Sequence, residues 1–170
     1  MKTTSTIKRC SAAAVLGLAV LLPDYSTLHT SAAGLALITD FEGCRLSPYQ
    51  CSAGVWTNGI GHTRDVTANT TLTEAQAAEN LIADVKHVER GLARCMPGPM
   101  PQPVYDAVVA FAFNVGISAA CGSTLATYIN KQQWRNACDQ LPRWVYVDGV
   151  RSNGLARRRA AEQALCLTGA

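Results

Sequence analysis

No two of the chain's seven cysteines stand in a CxxC pair, so the usual zinc-binding spacings are missing and no metal or cofactor is expected. Strong charge of one sign is missing too. A formal net charge of +3 and a pI of about 8.5 fall well short of the basic footprint of a nucleic-acid binder, and no nucleic-acid partner is expected. The mild excess suits an anionic cell-wall or membrane surface. There is no internal repeat and no low-complexity tract. No heptad or broad apolar stripe argues for an oligomer, so a monomer is expected. Finally, the N-terminal apolar run Ser11 to Leu22 (SAAAVLGLAVLL) is by itself too short to span a bilayer.

What is present points to an exported protein. Apolar residues make up 48% of the 170, enough for a packed core in one domain plus an appendage. Seven cysteines fit an oxidising compartment, and an odd number leaves at least one thiol free or able to exchange. Lys2, Lys8 and Arg9 precede the apolar run, and by the positive-inside rule they stay cytoplasmic. The next stretch, PDYSTLHTSAAGLALI, is only half apolar and holds Asp24 and His29. Two readings stand side by side. One is a cleaved signal peptide with a site at Thr30-Ser31-Ala32. The other is an uncleaved, weakly hydrophobic anchor from Ser11 to about Ala33 that can later leave the membrane. The expected organisation is an anchor over 1–33 and a folded domain over 34–170.

Periodicity gives an α+β outline. Leu35, Ile38 and Phe41 fall at helical spacing, with Gly43 as the C-cap. Aromatic and β-branched residues around Ser52-Ala53-Gly54 predict a hairpin with Val55-Trp56-Thr57 on its second strand. Thr73 and Gln76 form a capping box in front of a long amphipathic helix reaching about Cys95. The prolines between Met96 and Pro103 end it. Val104 to Val115 is apolar nearly all round and should be the central buried helix, ended by Gly116. Short helices are expected around Ser123 to Asn130 and Gln132 to Leu141, and a last one over Leu155 to Leu167 carrying Arg157, Arg158 and Arg159. The architecture that follows is a small hairpin-containing lobe and a helical lobe, joined by the long helix, with a cleft between them.

The chemistry lies in FEGCRLSPYQCSAGVWTNGIGHT, Phe41 to Thr63. Glu42 falls at a helix C-terminus, where the macrodipole disfavours a negative charge, so helix stability explains it poorly and chemistry explains it better. Eight residues separate it from Cys51, and five separate Cys51 from Thr57. An isolated Glu is by default a solvated surface residue. Cys51 alone reads equally as a structural disulfide cysteine, and Thr57 as a residue chosen for β-propensity.

Taken together these residues resemble the phage lysozymes of glycoside hydrolase family 24, the T-even phage muramidase fold, whose pattern is Glu, eight residues, Asp or Cys, five residues, Thr. Arg45, Tyr49, the Gly59-Ile60-Gly61-His62 turn, Asp84, Phe113-Asn114-Val115-Gly116, Trp144 and the Arg-rich last helix also correspond. The N-terminus with Cys44 and Cys51 is similar to the signal-arrest-release endolysins of temperate phages, in the subgroup with a cysteine in the catalytic position.

The resemblance implies hydrolysis of the β-1,4 bond between N-acetylmuramic acid and N-acetylglucosamine in peptidoglycan, to lyse a host bacterium. It implies Glu42 as general acid, with Cys51 as base, nucleophile or water-positioning group and Thr57 orienting the water. A free thiol titrates near about 8.5, so Cys51 is mostly neutral at pH 7 unless its surroundings shift it. Tyr49 and Asn114 become candidate sugar contacts, and His62 with Asp84 a structural ion pair. Arg158 either stands behind Glu42 or lies on a solvated arginine face, the second being the plainer reading. By the same resemblance Cys44–Cys51 is a caging disulfide and Cys10 the thiol that exchanges into it. The enzyme is then held at the host inner membrane facing the periplasm, and becomes soluble there on release. Cys95, Cys121, Cys138 and Cys166 allow three pairings, of which Cys95–Cys121 with Cys138–Cys166 is favoured. Two alternatives remain: a secreted, constitutively active muramidase with a cleaved signal, and a membrane-tethered peptidoglycan-binding module that does not cut.

Overall fold

The computed structural model describes residues 10–50 and 54–170. Lys2, Lys8 and Arg9, Cys51 and the expected Ser52-Ala53 turn lie outside the described residues. The chain divides into two compact units. The first is the chain through Leu28 together with Thr39–Asp84, and the second is His29–Ile38 with Val85–Ala170.

In the first unit, α1 (Ala12–Ala19) is capped by Ser11, whose Oγ accepts from the Ala14 N–H. Ser11 N–H in turn donates to Glu74 Oε1 at 3.2 Å. Val15 and Ala19 are fully buried, while Val20 and Leu21 beyond them are exposed. The expected anchor helix through residue 33 is therefore not formed here. α1 stops at Ala19, and Pro23, which lacks an N–H and fixes its φ, opens a separate 3₁₀ turn over Pro23–Thr27. Among the described residues no helix is long and apolar enough to cross a membrane.

Helix α2 (Ala32–Glu42) ends where Gly43 takes φ +68°, with Gly43 N–H donating to Thr39 O at 3.0 Å. Strands β1 (Arg45–Gln50) and β2 (Trp56–Gly59) pair antiparallel, Tyr49 opposite Thr57 and Gln50 opposite Trp56, with an irregularity between Arg45 and Tyr49. Leu72 N–H donates to Leu46 O, so the loop after β2 returns to β1. Helix α3 (Glu74–Cys95) starts from the capping box: Gln76 N–H donates to Thr73 Oγ1, and Thr73 N–H to Gln76 Oε1.

The second unit is helical. Its centre is α4 (Gln102–Val115), buried from Ala107 to Ala112 and packed along α8 (Asn153–Leu167). Around them lie α5 (Ile117–Cys121), α6 (Thr124–Asn130) and α7 (Trp134–Cys138). Disulfides join Cys95 to Cys121 and Cys138 to Cys166. Asp106, buried on α4, accepts from Ser31 N–H at 2.9 Å and Ser31 Oγ at 2.5 Å. Glu89, also buried, accepts from His29 N–H, Thr30 N–H and Thr30 Oγ1. Two carboxylates thus meet the free donors at the start of α2, where a negative charge is favoured.

A hairpin not anticipated from the sequence joins β3 (Tyr146–Val147) to β4 (Val150–Arg151) through Asp148 and Gly149, both at positive φ. The expectation of a solvated arginine face on α8 is overturned. Arg158 is 5% exposed and Arg159 fully buried, because both guanidinium groups hold the buried Glu162 carboxylate one turn on. Of the three, only Arg157 faces solvent.

Candidate active site

All the described candidate residues around Glu42 belong to the first unit. Glu42 is half-buried as the last residue of α2, and the αL turn at Gly43 sends the chain into β1 three residues later. Its carboxyl group lies against the turn that follows β2: a Cβ added to Gly61 would sit 2.8 Å from Glu42 Oε2. Gly61 holds φ +67°, so glycine is required there both by conformation and by the approach of the carboxyl group.

Thr57, 5% exposed, lies on β2 directly across from Tyr49, and its hydroxyl donates to Val55 O at 3.2 Å. The Arg45 guanidinium stacks over the Tyr49 ring at 4.4 Å, fixing an aromatic surface on β1. The turn that follows β2 is closed by a reciprocal pair: Asn58 N–H to His62 O and His62 N–H to Asn58 O, each 2.9 Å. His62 Nδ1 then meets Asp84 Oδ2 on α3 at 2.7 Å, with both side chains mostly covered. Glu42, Thr57, Tyr49, His62 and Asp84 are therefore organised by one continuous piece of structure.

Cys44, two residues beyond Glu42, is bonded to Cys10, with Cα atoms 5.2 Å apart. A Cys44–Cys51 bond cannot coexist with this one, since a sulfur forms a single disulfide. Cys51 lies outside the described residues.

Asn114 belongs to the second unit. There its Oδ1 accepts from Arg159 Nη2, which is part of a buried network. Arg159 also donates to Glu162 and, through Nε, to Trp144 O at 3.2 Å. Arg158 donates to Glu162 Oε1 at 3.0 Å and to Ala110 O at 3.2 Å. Burial pushes the Glu162 carboxyl up, against the pull of Arg159 and Arg158. Glu162 escaped the sequence reading although its spacing of three and four residues from the two arginines is the ordinary helical signal for a contact. Asn58 escaped it too, since nothing local marks a strand asparagine as buried. Among the described residues no cluster of three or more His, Cys, Asp or Glu side chains is arranged to hold a metal ion.

Comparison with known proteins agrees with this geometry. A family model described as phage lysozyme matches residues 39–162, the stretch that holds Glu42, Thr57, His62, Asp84 and Asn114. The SAR-endolysin of Escherichia phage P1 is 40% identical over 154 residues, covering 84% of this chain and 83% of that protein. The crystal structure of the active form of the P1 endolysin superposes with a TM-score of 0.84 at 35% identity, over 95% of this chain and 96% of that one. The crystal structure of the secreted inactive form gives 0.57 at 38% identity, over 82% of this chain and 96% of that one.

Proposed function

Given that the chain belongs to the phage lysozyme family, we propose that it is an endolysin that hydrolyses the β-1,4 bond between N-acetylmuramic acid and N-acetylglucosamine in peptidoglycan. The observation that carries this reading is the placement of the Glu42 carboxyl group against the Gly61 turn, which follows the strand carrying the buried Thr57. Glycoside hydrolysis needs one group to protonate the leaving oxygen and another to manage water or the anomeric carbon. Glu42 is the general acid. Cys51 stands where most such enzymes use a carboxylate, and together with Thr57 it handles the water. Tyr49, stacked by the Arg45 guanidinium, contributes a sugar-facing surface.

The same reading includes a switch. In the caged state Cys51 is bonded to Cys44 and removed from chemistry, while the N-terminal segment sits in the host inner membrane with the domain facing the periplasm. On release, the Cys10 thiolate attacks Cys44 Sγ, the Cys10–Cys44 bond forms, and Cys51 leaves as a thiolate. One disulfide replaces another and no external oxidant is consumed. The Cys10–Cys44 bond is the product of that exchange, and the closer likeness to an active form than to an inactive one supports assigning this structure to the released state.

Reducing-end release from purified peptidoglycan tests both halves, using wild type, Glu42→Gln and Cys10→Ser with and without mild thiol. Activity in wild type, its loss in Glu42→Gln, and a Cys10→Ser protein that works only after thiol treatment are expected. Absence of new reducing ends in every sample would leave a glycan-binding module. A Cys10→Ser protein active without thiol would remove the cage. Intact mass of periplasmic protein completes the test, since cleavage near residue 30 would discard Cys10.

A further inference from the structure

Asn58 is fully buried, and stability does not explain it. It occupies β2 between the buried Thr57 and Gly59. Its Nδ2 donates to Thr70 O at 2.8 Å. That carbonyl can only accept, so the amide orientation is fixed and Oδ1 points the other way. There, Oδ1 is buried with no hydrogen-bond partner among the described residues. An unsatisfied buried carbonyl oxygen is destabilising, and such groups are rare enough to require an explanation.

The explanation lies in what Asn58 holds. Its backbone forms one foot of the Gly59–Gly61 turn and His62 forms the other, through the reciprocal 2.9 Å pair. The His62 foot is tied to α3 through Asp84. The Asn58 foot is tied to the loop before α3 through Nδ2 and Thr70 O. The turn carries Gly61 against the Glu42 carboxyl group, and the strand leading into it carries Thr57.

We infer that Asn58 is a positioning residue for the glycosidase reaction: by tying β2 to the Thr70 carbonyl, it sets where the Gly61 turn meets Glu42 and where the Thr57 hydroxyl lies. The unpaired Oδ1 is then a stability deficit retained for geometry, as stability–activity trade-offs at catalytic sites lead one to expect. The inference rests on the reading of Glu42 as general acid.

The test replaces Asn58 with leucine, which keeps the branching and the heavy-atom count and removes the unpaired oxygen, and with alanine, which removes the side chain without adding bulk. Thermal melts and kcat and KM on soluble peptidoglycan fragments are measured for both, beside Glu42→Gln. Asn58→Leu is expected to keep a cooperative melt, to lose about 10-fold or more in kcat, and to keep KM within about twofold. If the leucine variant gives no cooperative melt, the alanine variant decides by the same kcat criterion. A folded variant with wild-type kcat overturns the inference, as does activity that falls only in step with the folded fraction. Should Glu42→Gln stay active, the general-acid reading fails and this inference falls with it. Should Glu42→Gln be inactive and Asn58→Leu be fully active, only the inference on Asn58 fails.

Discussion

Replacing Gly61 with alanine separates what the fold tolerates from what the chemistry tolerates. The new Cβ would lie 2.8 Å from Glu42 Oε2 and 3.2 Å from its Cδ, in a residue held at φ +67°. Two effects follow. The first is backbone strain: an L side chain in the left-handed region costs about 1–2 kcal/mol. For a chain of this length that corresponds to a fall in Tm of roughly 2–8 °C. The second is displacement. The clashing atoms are the far end of a flexible side chain, so the fold yields easily by moving the carboxyl group roughly 0.6–1 Å to reach ordinary contact distance. That motion is small for stability and large for proton transfer, since a misplacement near 1 Å lowers turnover by as much as ~100-fold. Gly149→Ala supplies the control. Gly149 holds φ +79° with nothing within 4 Å of a built Cβ, so it carries the same strain without the clash. Thermal melts should show similar losses for the two variants. Reducing-end release should fall between ~10- and ~100-fold in Gly61→Ala alone. Wild-type turnover in Gly61→Ala, or an equal loss in Gly149→Ala, would refute the argument that the Gly61 contact sets the Glu42 carboxyl group.

Three further outcomes are expected. Asp84→Asn removes the charged partner of His62 in a largely covered 2.7 Å contact and should lower stability by about 1.5–3 kcal/mol in a denaturant melt. The double substitution Cys138→Ala with Cys166→Ala opens a loop of sequence separation 28 and should lower stability by ~3–4 kcal/mol on the chain-entropy account, which a guanidinium titration would check. Tyr105 has its phenol raised above the ordinary value by burial first, then by Glu89 and Asp106. A raised pKa means the fold favours the neutral phenol, so its stabilising share is intact below the ordinary value near about 10 and disappears as pH climbs past it. An ultraviolet titration should show one tyrosine ionising late, and Tyr105→Phe should remove that late step.

Elements specified by local chemistry were legible. Gly43 as a C-cap, the Thr73–Gln76 box and the all-apolar α4 depend on a few neighbouring residues, and each stands in the structure as its sequence signal states. Elements specified by distant partners were not. Three consecutive arginines look like a solvated face, and only the packing of α8 along α4 buries Arg158 and Arg159 on Glu162. The hairpin over Tyr146 to Arg151 carried an Asp-Gly turn signal at Asp148-Gly149, but strands of two residues show no alternation to read. Likewise Glu42 was legible as an odd place for a carboxylate, while its contact with Gly61 depends on the fold of the whole hairpin.

The cysteines show the same divide more sharply, because in the proposed switch the pairing of Cys44 is a property of a state and not of the chain. Cys44 is bonded to Cys10, 34 residues away, and the proposed caged state pairs it instead with Cys51, seven residues away in sequence. Closing the shorter loop loses less chain entropy, so in the proposed switch Cys44–Cys51 is the bond that forms while the N-terminal segment is held elsewhere. The exchange itself trades one disulfide for another and has little inherent drive. What favours Cys10–Cys44 must therefore come from the segment that carries Cys10. The structure supplies it: α1 buries Val15 and Ala19 completely, and Ser11 caps the helix while its own N–H reaches Glu74. Burying a side chain such as Val15 is worth about 1.5–3 kcal/mol, enough to offset the larger loop. In the proposed switch the apolar run therefore serves twice: held in the membrane it keeps Cys10 from Cys44, and packed through Val15 and Ala19 it favours the Cys10–Cys44 bond.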